Sequence, residues 1–597
     1  MRLFFVCASQ CTYLVQTTFL YRLFLYGLLS QLQANSNKRR LCCLSGLKMG
    51  LSVTLALCFG LTMGLFLSKA LYNLFIHPLA SFPGPRLWAA SRLPYTNCLW
   101  RGRLHERIKD LHDTYGPVIR IAPDELSFNT AEAWNDIYCG GVGNKGFVKH
   151  VAYRNAQTFE SLFDASNDNH SRLRRLLKND FFSLAAARRQ ERHVQAYADR
   201  LIAQLRAHHS GKNFDDSHPA DMREWYNFAT FDIIGQVVLS EDFGCIDGRA
   251  YHPWTSMVLT HFKLSALLMC SRFYFSLPLL TLLAPRRLIR LRDSFLSLIR
   301  HKITRRCERA LPPGERDFVT AALCQTAGTE ELREQLTEDA EYDQNHNSIN
   351  QPPILSRAEL EANCILLLLA GSDTIATSLI SVTHLLCEHP SSLRKLAAEV
   401  RSAAPLESDV HYNNITSNMP YLNAVLRETH RLCPPLANGP ARVVGHQTAI
   451  IAGVLVPPNT SVGVTYYAAN RSAHNFAYPD EFHPERWLSP ELAARYNDEI
   501  ETSGRPHDIF ATDVREAVRP FSVGGRDCLG QNFAWVEFRV LLARMIWNFD
   551  MKVYRETNNK TGSQQRATFS SYARWTDQKA YMLWEKENYY VLLKERE

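Results

Sequence analysis

The sequence predicts a mainly α-helical fold with small β-sheets, built as one large domain behind an N-terminal transmembrane helix. Three features of the 597-residue chain carry this expectation. An apolar run near the N-terminus has the length of a membrane span. Apolar positions recur at helical spacing over much of the remainder. Strand-like alternation is confined to a stretch near Val118 and to the last 50 residues.

From Leu51 to Leu71 the sequence LSVTLALCFGLTMGLFLSKAL is apolar apart from Ser, Thr and the late Lys69, long enough to cross a bilayer as a helix. Residues 49–71 are the expected anchor. His77-Pro78 and Phe82-Pro83-Gly84-Pro85 follow, where fixed proline dihedrals break a helix, so residues 72–85 read as a short stiff linker and 86–597 as the folded body. The first 48 residues fit this plan less well. Leu3 to Leu32 is also apolar but interrupted by Gln10, Gln16 and Arg22, and Lys38-Arg39-Arg40 lies between the two apolar stretches. Two spans with a cytosolic body would place that basic loop in the lumen, against the positive-inside tendency; a start at Met49 removes the conflict. Residues 1–48 therefore read as an upstream extension or a processed segment, with a targeting peptide as the alternative.

In the body, VIRIAPDELSF from Val118 reads as two short strands around a Pro-Asp turn. Residues 183–310 carry apolar positions at helical spacing with Arg, Glu and His on the other face, the pattern of several packed helices. The acidic, polar stretch that ends at Pro353 reads as an exposed connecting loop. Beyond it, Ser356 and Glu359 have capping-box spacing and open the run CILLLLAGSDTIATSLISVTHLLCEH, a long helix apolar on every side and hence buried. The closing KAYMLWEKENYYVLLK returns to alternation and reads as a terminal hairpin or small sheet.

Composition excludes several classes. A net charge of +8 is a modest basic excess, and no run of Lys and Arg interleaved with aromatics points to nucleic acid. The fifteen cysteines are an odd number without C-x-x-C pairs or histidine partners at zinc-ligand spacing, which disfavours a disulfide framework and a structural zinc site.

The chemistry is concentrated in Phe521-Ser-Val-Gly-Gly-Arg-Asp-Cys528-Leu-Gly530, followed by the helix-like QNFAWVEFRVLLARMIWNF. Gly524, Gly525 and Gly530 let the backbone approach a flat ligand and aim N–H groups at a sulfur, and a helix N-terminus favours a thiolate. A thiolate so held is suited to ligate haem iron, and Arg526 is placed to donate to a haem propionate. A cysteine beside glycines is by itself usually a packing residue; the ten-residue pattern reverses that reading.

This segment resembles the haem-binding loop of the cytochrome P450 family, F-x-x-G-x-R-x-C-x-G, at every fixed position from Phe521 through Gly524, Arg526 and Cys528 to Gly530. Other segments resemble the family in its own order. Glu428-Thr-His-Arg431 is an E-x-x-R motif with both charges on one helix face, and Pro484-Glu-Arg486-Trp resembles the P-E-R-F element, so the resemblance implies a buried network of Glu428, Arg431 and Arg486 that retains the haem. Ala370-Gly371-Ser372-Asp373-Thr374 resembles A-G-x-D/E-T, which implies an oxygen groove at Ala370 and Gly371 and proton delivery by Asp373 and Thr374. His170 and Arg174 on one helix face, and Arg442 after Cys433-Pro434-Pro435, stand where the family binds the propionates.

The resemblance runs from Phe82 to the C-terminus and implies the cytochrome P450 fold, haem b with an axial thiolate from Cys528, and hydroxylation or other oxidation of a lipophilic small molecule. About 70 residues follow Cys528, too few for a flavin domain, so electrons from NADPH are expected through a separate NADPH-cytochrome P450 reductase. Anchoring in membrane lipid on the cytosolic face of the endoplasmic reticulum is the matching location. The proline-rich segment, RIAPDELSF and Trp575-Thr-Asp-Gln-Lys579 are most like fungal members of secondary metabolism, such as terpenoid or polyketide pathways. Two rivals stay open: a haem-thiolate isomerase or dehydratase, against which the Asp373-Thr374 pair argues, and a non-catalytic haem sensor, which has little use for a proton relay.

Overall fold

The computed structural model describes residues 40–140, 147–150, 161–178, 181–250, 270–274, 286–309, 317–320, 322, 355–496, 507–555 and 574–596. Residues 1–39 and the acidic stretch ending at Pro353 lie outside them. The chain divides into two compact units, Met1–Ala80 with Ser271–Leu283, and Ser81–Cys270 with Ala284–Glu597.

In the first unit, helix α1 spans Arg40–Phe75. Its portion Ser52–Phe75 is long and apolar enough to cross a membrane, and its most apolar stretch is exposed. The helix begins before Met49 and continues past Leu71 to Phe75, so it contains the whole of the expected anchor, residues 49–71. No proline precedes Pro78, and nothing before it stops the helix.

The second unit holds the helices that frame the site: α2 (Asn167–Lys178), α3 (Leu184–His208), α4 (Met222–Leu239), α5 (Arg357–Glu388), α6 (Pro420–Leu432) and α7 (Gln531–Asn548). The 32-residue α5 is the axis of the core and packs against α4, α6 and α7. Its start is set by a capping box: Ser356 Oγ accepts from the Glu359 backbone N–H at 3.2 Å, and the Glu359 carboxylate accepts from the Ser356 N–H at 3.0 Å. It is as apolar as a membrane span, but here protein, not lipid, covers it.

Strands are short. In chain order they are β1 (Val118–Ala122), β2 (Glu125–Phe128), β3 (Val148–Lys149), β4 (Ser210–Gly211), β5 (Ala220–Asp221), β6 (Arg442–Val443), β7 (Ala449–Ile451), β8 (Val454–Val456), β9 (Ser461–Val464), β10 (Phe549–Val553), β11 (Lys579–Ala580), β12 (Trp584–Glu585) and β13 (Tyr590–Glu595). The hairpin expected around Pro123-Asp124 forms and leads a five-stranded sheet ordered β1-β2-β9-β6-β3. The C-terminal alternation divides between the two-stranded β11-β12 and β13, which pairs with β10, β4 and β5. In the large sheet Arg442 stands opposite Lys149 on one side and Val462 on the other, which brings two cations of the site into register.

The approach to β6 depends on close backbone contact. A Cβ on Gly439 would stand 1.6 Å from the carbonyl oxygen of Val464, whereas one on Gly445 would meet nothing within 4 Å. Gly439→Ala is therefore expected to lower Tm by several degrees and reduce the yield of folded protein, while Gly445→Ala stays within about 0.5 kcal/mol of wild type. Paired thermal melts decide this, and equal effects would show that the contact is absent in solution.

Candidate active site

The loop before α7 is shaped by its backbone. Ser522 and Gly524 both adopt left-handed conformations, at φ 60° and 83°. At Gly524 the requirement for glycine is steric as well, because a Cβ there would sit 2.2 Å from the Tyr138 carbonyl oxygen. The Cys528 N–H closes the loop onto the Phe521 carbonyl at 2.9 Å, and the Phe521 ring lies against Trp535 and His430. Cys528 is exposed, and the Gly530 amide hydrogen-bonds its sulfur. Burial nonetheless pushes the thiol up to about 11, the Gly530 amide opposing only part of that shift. Here α7 starts at Gln531, three residues on.

On one side of this loop the structure gathers cations. His170 and Arg174 come from α2, Arg442 from β6, Arg526 from the loop and Lys149 from β3. Burial first, then Arg526, Arg174, Lys149 and Arg442, holds the His170 imidazole at about 3, so it is neutral. Arg174 forms an ion pair with Asp527 and donates to its carbonyl at 2.9 Å. Arg526 donates to the Ala165 carbonyl at 2.6 Å and to Asn167 Oδ1 at 2.9 Å. The Arg442 guanidinium lies 5.4 Å from the Tyr138 ring centre. Lys149 Nζ donates to the Phe163 carbonyl at 2.7 Å. Sequence reading did not find Lys149, because nothing local distinguishes FVKH; its register opposite Arg442 does.

The middle of α5 interrupts its own burial. Ala370 is exposed, and Leu366, Leu367, Gly371 and Thr374 are half-buried, whereas Leu368, Leu369, Ser372, Asp373 and Ile375 are buried. The accessible positions fall at i, i+1, i+4, i+5 and i+8, one stripe of the helix. A Cβ on Gly371 would meet Ile234 of α4 at 2.6 Å, so the small residue there serves helix packing as well as open space. Thr374 Oγ1 donates back to the Ala370 carbonyl at 2.6 Å. Asp373 points elsewhere, into an ion pair with Lys586.

Behind the loop, Glu428, Arg431 and Arg486 are fully buried and bonded together. Arg431 grips the Glu428 carboxylate with two bonds of 2.8 Å, and Arg486 Nε reaches Oε1 at 3.1 Å. The network exceeds the expected trio. The His483 backbone N–H and the Trp487 indole N–H each donate to Glu428 at 2.9 Å, and Arg486 forms a further ion pair with Asp513. Burial alone would raise the Glu428 carboxyl, but the two arginines and the His483 N–H hold it at about 2. Trp487, where the family element has Phe, thus supplies an additional donor. Glu537 in α7 is the opposite case: among the described residues neither carboxyl oxygen has a hydrogen-bond partner, and burial raises it well above the carboxylate range, leaving it neutral.

These features suit a flat, carboxylate-bearing iron cofactor: an exposed thiol, a cation cluster round a neutral imidazole, and a helix stripe that opens at Ala370 and Gly371. Cys528 would hold the metal, and Arg174, Arg442, Arg526, His170 and Lys149 would face the carboxylates.

The comparisons agree with that class. The cytochrome P450 family model matches residues 83–571, and the chain belongs to the cytochrome P450 family. It is 34% identical over 522 residues to cytochrome P450 monooxygenase astJ of Aspergillus oryzae, covering 87% of this chain and 92% of that one. It is 34% identical over 521 residues to the trichothecene C-4 hydroxylase of Trichoderma arundinaceum, covering 87% and 92%. Averantin hydroxylase of Aspergillus parasiticus is 35% identical over 532 residues, covering 89% and 95%.

The depressed Glu428 carboxyl gives a signed pH prediction. Its contribution to stability is complete above the ordinary value of 4.5 and disappears as pH falls towards about 2. Glu428→Gln should lower Tm by several degrees at neutral pH, and the gap from wild type should narrow between those limits. A gap independent of pH would place the stabilisation elsewhere.

Proposed function

We propose that the protein is a membrane-attached haem-thiolate monooxygenase that oxidises a lipophilic small molecule, with the overall stoichiometry RH + O2 + NADPH + H+ → ROH + H2O + NADP+. The observation that carries this reading is the exposure of Cys528 in a loop that only a glycine at 524 permits. Haem, when bound, supplies dioxygen activation, favoured by electron donation from an axial thiolate. The chain's own part is to hold the carboxylates with the cation cluster, to keep the iron side of the loop rigid through Glu428, Arg431 and Arg486, and to move protons. Thr374 offers a hydroxyl on the accessible stripe of α5, and Asp373 beside it is the acid that resupplies it.

Electrons come from a separate NADPH-dependent reductase. The apolar Ser52–Phe75 helix anchors the protein, at the endoplasmic reticulum membrane with the body in the cytosol. Ala370, Leu366 and Leu367 present an apolar surface to substrate, in keeping with a hydrophobic ligand held by few polar groups. The relatives named as monooxygenases and hydroxylases, including those acting on a trichothecene and on averantin, support a place in fungal secondary metabolism.

Reconstitution with reductase, NADPH and isotopically labelled dioxygen tests the reading. Product should carry one labelled oxygen atom and should be absent under argon or without NADPH. Product formed equally well without oxygen and NADPH would instead establish the isomerase or dehydratase alternative.

A further inference from the structure

Asp373 and Thr374 are neighbours in sequence, but their side chains leave α5 in different directions. Thr374 sits on the accessible stripe; Asp373 is turned towards the segment between β12 and β13, where its carboxylate pairs with Lys586. The two side chains keep only 3% and 4% of their surface, Lys586 first. Lys586 Nζ also donates to Thr377 Oγ1 at 3.0 Å and lies 3.4 Å from the Asp373 carbonyl oxygen, to which Thr377 Oγ1 itself donates at 2.7 Å. One ammonium therefore engages a full turn of α5. Its own segment is held on the far side, the Glu587 N–H donating to Gln578 Oε1 at 2.8 Å and the Tyr589 N–H to Asp221 Oδ1 at 3.1 Å.

Fastening a C-terminal segment to a core helix does not require a charge. Removing an ammonium and a carboxylate from water is costly, and an apolar pair of similar volume is often as stable or more so. Burial draws the Lys586 ammonium below an exposed lysine, Asp373 pulls it the other way, and Arg223 at the start of α4 adds a like charge. The cost is borne at the one acidic residue of the Ala370–Thr374 motif.

We propose that Lys586 is the positioning residue for Asp373: its ammonium fixes the orientation of the carboxylate from which Thr374 is resupplied with a proton. The inference rests on the monooxygenase reading. In each transfer an O–H bond of the Asp373 carboxyl breaks as one forms on a water between the two side chains, that water passes a proton of its own to Thr374, and the original Thr374 proton goes to the oxygen atom that the NADPH-derived electrons reduce. Solvent then reprotonates Asp373. Lys586 remains an ammonium throughout and serves to keep one carboxyl oxygen engaged and the other directed.

The test uses the full-length haem-loaded protein with reductase, NADPH and oxygen, measuring product and hydrogen peroxide per NADPH consumed, alongside Tm. Lys586→Met should lower the product-to-NADPH ratio at least fivefold, with peroxide rising to match and a changed solvent isotope effect, and Lys586→Arg should restore at least half. Should the Met variant fail to retain haem, Thr377→Val, which removes the second acceptor of Nζ, should still halve the ratio. In thermal melts the losses for Lys586→Met and Asp373→Asn should be strongly non-additive in the double variant. Unchanged coupling in Lys586→Met or Thr377→Val of an active wild type, or additive melting losses, would overturn the inference and leave Lys586 a structural fastening. A wild type that forms no oxygenated product contradicts the monooxygenase reading itself, and the inference falls with it.

Discussion

The Glu428 carboxylate, clamped between Arg431 and Arg486 with no access to water, is the constraint on which the rest of the site depends. It joins α6 to the irregular chain beyond β9. Arg431 also donates to the carbonyls of Asn470 and Glu481, at 3.0 and 2.7 Å, and Arg486 to that of Ala477 at 3.0 Å. Asp513 continues the connection, pairing with Arg486 and accepting the Ala477 N–H at 2.8 Å. Five residues later the chain is turning towards Phe521 and the cysteine loop. A buried pair of this kind adds little net stability over an apolar core, but removing one partner leaves an uncompensated charge, so it selects one backbone course over others.

The long core helix is built on a different principle. Helix α5 is buried on nearly all sides, and its opening comes from what is small, at Ala370 and Gly371, and from a hydroxyl at Thr374. Charge is kept off the stripe: Asp373 is satisfied by Lys586 on the flank. The loop side brings positive charge and a sulfur, and the helix side brings space and a hydroxyl. Neither alone specifies oxygen chemistry.

Legibility in the sequence followed the range of the interaction. Capping at Ser356 and Glu359, the hairpin at Pro123-Asp124 and the long helix are local and were readable from spacing. The motif residues were readable because each sits in a short fixed pattern. Lys149, Asp513, Trp487 and Lys586 were not singled out: each acts across 100 residues or more of chain, or within an element whose pattern does not require it, and a lysine in WEKENYY reads as a solvated residue of an alternating strand. The surroundings of the Cys528 thiol were legible only in part, for a related reason. The helix dipole is legible in sequence, whereas desolvation is a property of the packed fold. The anchor's limits were drawn from hydropathy, which marks where a helix is apolar and not where it stops.

The central claim is that Cys528 is the axial ligand, and the carbon monoxide difference spectrum of the reduced, haem-loaded protein tests it most directly. Thiolate ligation predicts a Soret band near about 450 nm in wild type, lost in Cys528→His while haem is still retained. Survival of that band in the variant would contradict the assignment and move the ligand to another of the fifteen cysteines.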